Sequence, residues 1–242
     1  MSRARVPIVA ALLLTAVVGA DAPPYAGVKS YARLLPAVVS AGRVDYDRLR
    51  SEYGTALDDF LNHAADVEPD KLARDERLAH YLNLYNATML MAVIQRRTEG
   101  PFQPSDRKFD VFDEPRVRTK TGVISLNDLE NKIIRPTFKD PRVHAALCCA
   151  AVSCPPLIDK PYTAAALERQ LDENVTSWLA DPGRNVIDDK ARTLRLSKIF
   201  DWYADDFGGR ANVARWVAEK TGRAVGGYKV EFLEYDWTLN SK

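Results

Sequence analysis

Apolar residues recur along this chain at two different periods, and the change from one to the other divides it. Through the first two thirds they fall three and four apart. Val28 to Val39 and Ala56 to Ala65 both read as amphipathic helices. The longest such run extends from about Asp70 to Gln95. Leu72, Leu78, Leu82, Tyr85, Met89 and Val93 recur there at helical spacing, and no glycine or proline intervenes. Its centre, YLNLYNATMLMAVI, is apolar nearly all round, which predicts a buried central helix. Later the period shortens. Thr193-Leu194-Arg195-Leu196-Ser197 alternates as a strand does, and Val230 to Tyr235 reads as a last strand after a Gly226-Gly227 turn.

Start and stop residues sharpen this plan. Ser125, with Asp128 three positions on, opens a helix that Pro136 stops. Asp140-Pro141 is a second cap, with proline at the first helical position. It predicts a helix that carries His144, Cys148 and Cys149 and fades before Ser153, after which Pro155-Pro156 forces extended or turn backbone. Thr163 opens a helix through Trp178 and Leu179, closed by Asp181-Pro182-Gly183. Asp201 to Phe207 reads as a short helix closed by Gly208-Gly209, and Ala211 to Lys220 as another with Trp216 inward. Thr98 to Glu114, which holds Pro101 and Pro104, is the expected long loop. The expected fold is a helix-rich α+β single domain with a small mixed or antiparallel sheet towards the C-terminus.

Residues 1–20 stand apart. Arg3 and Arg5 precede an apolar run from about Val6 to Val18, and Val18-Gly19-Ala20 offers small residues ahead of Asp21. This is the three-part pattern of a signal peptide, and the run is shorter than the roughly 20 residues a membrane span needs. The expectation is an exported protein, periplasmic or secreted, cleaved near Ala20, with residues 21–242 as the single domain and no integral span. Removing Arg3 and Arg5 takes the formal net charge from +1 to −1, which offers no electrostatic footprint for nucleic acid. A hydrophobic content of 46% supports a sizeable core without disulfides.

Candidate chemistry concentrates in HAALCCAAVSCPPL, His144 to Leu157, which holds all three cysteines and one of three histidines. Three readings stand side by side. In the first, Cys149 or Cys154 is a nucleophile and His144 its base. Asn83, Asn86, Asp201 or Asp205 would orient the imidazole, and Asp201, Asp205 and Asp206 form an acidic cluster suited to that role. Arg135 and Arg142 would bind a substrate carboxylate, with Tyr85 and Trp202 beside it. In the second, Cys149 and Cys154 form a disulfide of an exported scaffold. In the third, His144, Cys149 and Cys154 are ligands for zinc, a set one short of the four that structural sites use. Each feature has a plainer role too. The two asparagines can fasten a helix to a loop, the aromatics can be core, and the arginines can pair with Asp128, Glu130 or Asp140. No cofactor is expected, and the partner expected is a small-molecule or peptide ligand.

Several segments together resemble one family, known as domain of unknown function 547. They are GRVDYDRL (42–49), YLNLYNA (81–87), SLNDLENKIIRP (125–136), DPRVHAALCCAAVSCPPL (140–157), LSKIFDWYADDFG (196–208) and EYDWTLN (234–240). They cover nearly all of residues 21–242. Ala145 stands where the family more often has an aromatic, and Cys148 is an extra cysteine, so the family-type cysteines would be Cys149 and Cys154. The resemblance implies an exported bacterial protein. Its Cys/His content suggests thiol chemistry of a papain-like or transglutaminase-like kind. The working expectation is a thiol-dependent hydrolase or transferase acting on peptide-like or thiol substrates. Its centre would lie between residues 81–87, 144–154 and 196–207. The alternative is a non-catalytic cell-envelope binding protein.

Overall fold

The computed structural model describes residues 27–96 and 111–242. The expected signal peptide and most of the expected Thr98–Glu114 loop lie outside the described residues. Helix α1 (Val28–Val38) turns through a hairpin of β1 (Val39–Ser40) and β2 (Arg43–Val44) into α2 (Tyr46–Ala65). Ala41 and Gly42 both take positive φ at the hairpin tip, and a Cβ on Gly42 would sit 2.6 Å from Cβ of Pro156, so glycine is required there. Asp45 caps α2 by accepting from the Arg48 N–H at 2.9 Å. This cap starts the helix ten residues before Ala56, because the polar first turns carry too few apolar positions to show a period.

The central helix is α3 (Arg74–Arg96), buried on nearly every side from Leu78 to Ile94. It begins later than the apolar pattern suggests because Pro69–Lys71 forms its own 3₁₀ turn. Strands β3 (Pro115–Thr119) and β4 (Gly122–Ser125) make a second hairpin. The Ser125 hydroxyl then accepts from Asp128 N–H at 2.9 Å, as its spacing predicts. The helical stretch that follows starts as α4 (Leu126–Asp128), widens into a π-helix at Leu129–Ile134 and ends as α5 (Arg135–Phe138). The wide turn carries the helix past Pro136, with Arg135 N–H bonded to Glu130 C=O five residues back, and Lys139 ends it in the left-handed conformation.

The helix expected after Asp140-Pro141 is not formed. Only a 3₁₀ turn, Pro141–Ala145, appears, and Cys148 and Cys149 lie in open chain. The reason is local. The Asn86 side chain takes both Cys148 N–H (2.8 Å) and Ala146 C=O (2.9 Å), and Ala150 sits at φ +60°. His144 and Cys148 therefore do not share a helix face.

Past the cysteines, α6 (Leu167–Ala180) follows a 3₁₀ turn at Ala164–Ala166, with Thr163 donating its backbone N–H to Gln170 rather than capping through its hydroxyl. A three-stranded sheet has the order β5 (Val186–Asp188), β6 (Thr193–Leu196), β7 (Lys229–Phe232). The first pair is antiparallel and the second parallel. Between β6 and β7 run α7 (Ile199–Trp202), a 3₁₀ turn at Ala204–Phe207 and α8 (Val213–Thr221). The α+β class is as expected from the sequence.

The apolar interior forms two clusters. The larger is built on α1, α2 and α3; the smaller gathers Trp178, Phe200, Phe207 and Trp216. Tyr235 packs against both. The last residues run back as a strap. Asn240 N–H bonds to Ala150 C=O (2.9 Å), Val152 N–H to Thr238 C=O (2.8 Å) and Lys242 N–H to Val44 C=O (3.0 Å), and Tyr46 hydroxyl donates to the Asn240 side chain (2.7 Å). The strap thus ties the cysteine segment to β2. Among the described residues, no helix is long and apolar enough to cross a membrane.

Candidate functional site

At the seam between the two clusters opens a cleft of about 290 Å³. It is lined by Tyr85 of α3, Glu130 of the π-turn, His144, Leu147, Cys149 and Cys154, together with Ile199, Trp202, Tyr203, Tyr235 and Trp237, and by Phe112 and Asn127.

His144 is buried and doubly held. Its Nε2 lies 2.7 Å from Oδ2 of Asp206, and its ring lies against Tyr203, centroids 4.2 Å apart. Burial pushes the Asp206 carboxyl up, but hydrogen bonds from His144 and Arg135 outweigh it and hold the group well below the usual carboxylate range. An ionised carboxylate can only accept, so Nε2 carries the proton and Nδ1 is left on the opposite side of the ring. Nδ1 lies 3.9 Å from Oε1 of buried Glu130, whose other oxygen accepts the Tyr85 hydroxyl at 3.2 Å.

The three thiols lie close together, and all are free. The expected Cys149–Cys154 bridge is not formed. Cys154 Sγ instead accepts the Cys149 backbone N–H at 2.8 Å, while Cys149 Sγ faces the Tyr235 hydroxyl at 2.9 Å. Burial pushes the Cys154 thiol well above its ordinary value, reinforced by Cys148 and Cys149. Cys148 is buried behind it, near the Asn240 amide. Cys149 is half-buried, so it is the most accessible of the three. Burial likewise raises Tyr235 well above the usual phenol value, so its hydroxyl keeps the proton it can donate to sulfur.

The other expected site residues are dispersed. Asn83 bonds both backbone groups of Tyr162, and Asn86 fixes the turn before Cys149, so both amides fasten α3 to loops. Asp201 pairs with Lys198 and Arg210. Arg135 clamps Asp206 with two bonds and lies over the Tyr203 ring, while Arg142 is shared by Asp140, Glu168 and Asp172. Tyr85 and Trp202 do line the cleft. Of the acidic cluster, Asp206 rather than Asp201 or Asp205 reaches the histidine. Glu130, Tyr203, Tyr235 and Trp237 were not singled out from sequence. The family-like segments that contain them were the available signal. Among the described residues, no group of three His, Cys, Asp or Glu side chains is placed to hold a metal ion.

Fold and site together define a helix-rich α+β domain in which two cysteines, a histidine and Glu130 line one cleft, with Asp206 bonded to the histidine. The model of the family described as Protein of unknown function, DUF547, matches residues 69–179, and over that span the chain is similar to that family. The matched span includes His144 and the three cysteines; Asp206, Tyr235 and Trp237 lie beyond it. Neither the curated proteins nor the solved structures contain a match to this chain.

Proposed function

We propose that this protein is an exported thiol-dependent acyl hydrolase or transferase, with Cys149 as nucleophile, His144 as general base and Asp206 as the residue that orients it. One observation carries the reading. The accessible thiol shares a cleft with a histidine whose far nitrogen is fixed by an ionised carboxylate.

In this scheme His144 Nδ1 takes the Cys149 proton and sulfur attacks the substrate carbonyl carbon. The tetrahedral intermediate collapses to a thioester, and the leaving group departs with the proton held by His144. Water, or an acceptor amine or thiol, then attacks the thioester carbon and returns the proton to sulfur. Asp206 and Glu130 flank the ring and balance the charge it gains. Cys154 serves as an acceptor for the Cys149 N–H, which fixes the backbone under the nucleophile. Export is supported by the Arg3/Arg5, apolar-run and Ala20 pattern.

The test combines native alkylation with turnover. Iodoacetamide applied across pH 5 to 9 without reductant, with peptide mapping, should modify Cys149 below pH 7, and Cys149→Ser and His144→Ala should each lose esterase or thioesterase turnover. If Cys149 reacts no faster than free cysteine and neither variant changes turnover, the thiol reading fails and a binding role takes its place. A mature N-terminus at Asp21 tests export.

A further inference from the structure

The chemistry of the cleft wall bears on what it holds. Trp202, Tyr235 and Trp237 form a continuous aromatic face, with ring centroids 4.8 Å (Trp202–Tyr235), 4.6 Å (Tyr235–Trp237) and 5.8 Å (Trp202–Trp237) apart. Trp202 is 46% exposed, and with Val123 it is one of two large hydrophobic residues left so open among the described residues. An indole nearly half exposed in the lining of a cleft that also holds a half-buried thiol is a large apolar area facing solvent.

Charge narrows the partner. No lysine or arginine is among the described residues that line the cleft, and its one acidic residue is Glu130. The arginines closest in sequence to the site are already paired with carboxylates, Arg135 with Asp206 behind the Tyr203 ring and Arg142 with three others. A substrate carboxylate or phosphate would enter a cleft whose lining holds a carboxyl and no cation. A cation meets the reverse arrangement, π faces and a carboxyl in the same lining.

We propose that the cleft binds an alkylammonium group, so that the substrate is an acyl compound with a primary or quaternary ammonium near its reactive carbonyl. The ammonium lies against Trp202 and Trp237. This names the substrate class of the thiol reading and rests on that reading for the acyl part alone; the ammonium site stands or falls by binding.

The experiment is a ligand-observed NMR titration of the full chain with choline, compared with 3,3-dimethyl-1-butanol, its uncharged isostere. Choline should bind about tenfold more tightly than the isostere, and Trp202→Ala should weaken choline about fivefold to thirtyfold while leaving the isostere less affected. Circular dichroism of Trp202→Ala that matches the wild type separates lost binding from lost fold. Cys149→Ser should bind choline as the wild type does. Equal binding of the two ligands, no choline binding, or no effect of Trp202→Ala overturns the proposal. Choline binding with an inert Cys149 leaves the ammonium site standing and removes the thiol reading. A reactive Cys149 without choline binding does the opposite.

Discussion

His144 and Asp206, 62 positions apart in the chain, meet through Nε2 and a carboxylate oxygen at 2.7 Å. That contact sets the tautomer of the ring and so decides that Nδ1 is the nitrogen left without a proton. Asp206→Asn keeps the shape but allows the ring to reverse its tautomer. Turnover should fall about 10²- to 10⁴-fold with KM little changed, measured by steady-state kinetics on an activated ester.

The same carboxylate should shape acid stability. Its folded-state pKa is depressed, so its contribution is present above the ordinary carboxylate value and is lost as pH falls through the folded one. Stability measured by urea unfolding should therefore drop below about pH 4. Asp206→Asn should show a shallower loss over that range. An identical acid profile in the variant would remove Asp206 from the account.

Tyr235→Phe retains the ring and removes the hydroxyl that faces Cys149 sulfur at 2.9 Å. A donor to a thiolate favours the ionised form. The alkylation rate of Cys149 at pH 7 should fall several-fold. The melting temperature should hardly move.

Asn86→Ala leaves Cys148 N–H and Ala146 C=O without their partner inside the protein. Unmet buried polar groups cost about 1–3 kcal/mol each. In a chain of this length the melting temperature should fall by roughly 5–10 °C. Calorimetry checks this. Cys148 and Cys154, protected in the folded wild type, should alkylate faster in the variant.

Much of this arrangement was legible in the sequence, and the missing parts have identifiable causes. Helix α3 announced itself because its apolar residues run nearly all round and nothing interrupts them, and Ser125 caps as its spacing predicts. The segment after Asp140-Pro141 carries the same local signals as a true helix start. It stops after one 3₁₀ turn because an asparagine sixty positions away takes its backbone groups, a competition that no local pattern reveals. Placing His144 in the site needed only its neighbours. Choosing Asp206 over Asp201 and Asp205 needed the turn at Ala204–Phe207, since three aspartates in six residues look alike until the backbone aims them. Tyr235 is 86 positions from Cys149, so its role rests wholly on tertiary packing.

The closing strap has a consequence in time. During synthesis α3 and the cysteine segment emerge long before residues 235–242 do, and the bond between Asn240 and Tyr46 must close 194 positions of chain. Such long-range contacts form late. A nascent chain therefore holds its thiols and its histidine, yet lacks the tyrosine that faces the sulfur and the tryptophans that wall the cleft. The cleft is therefore walled only once residues 235–242 have folded back, well after its floor has been made.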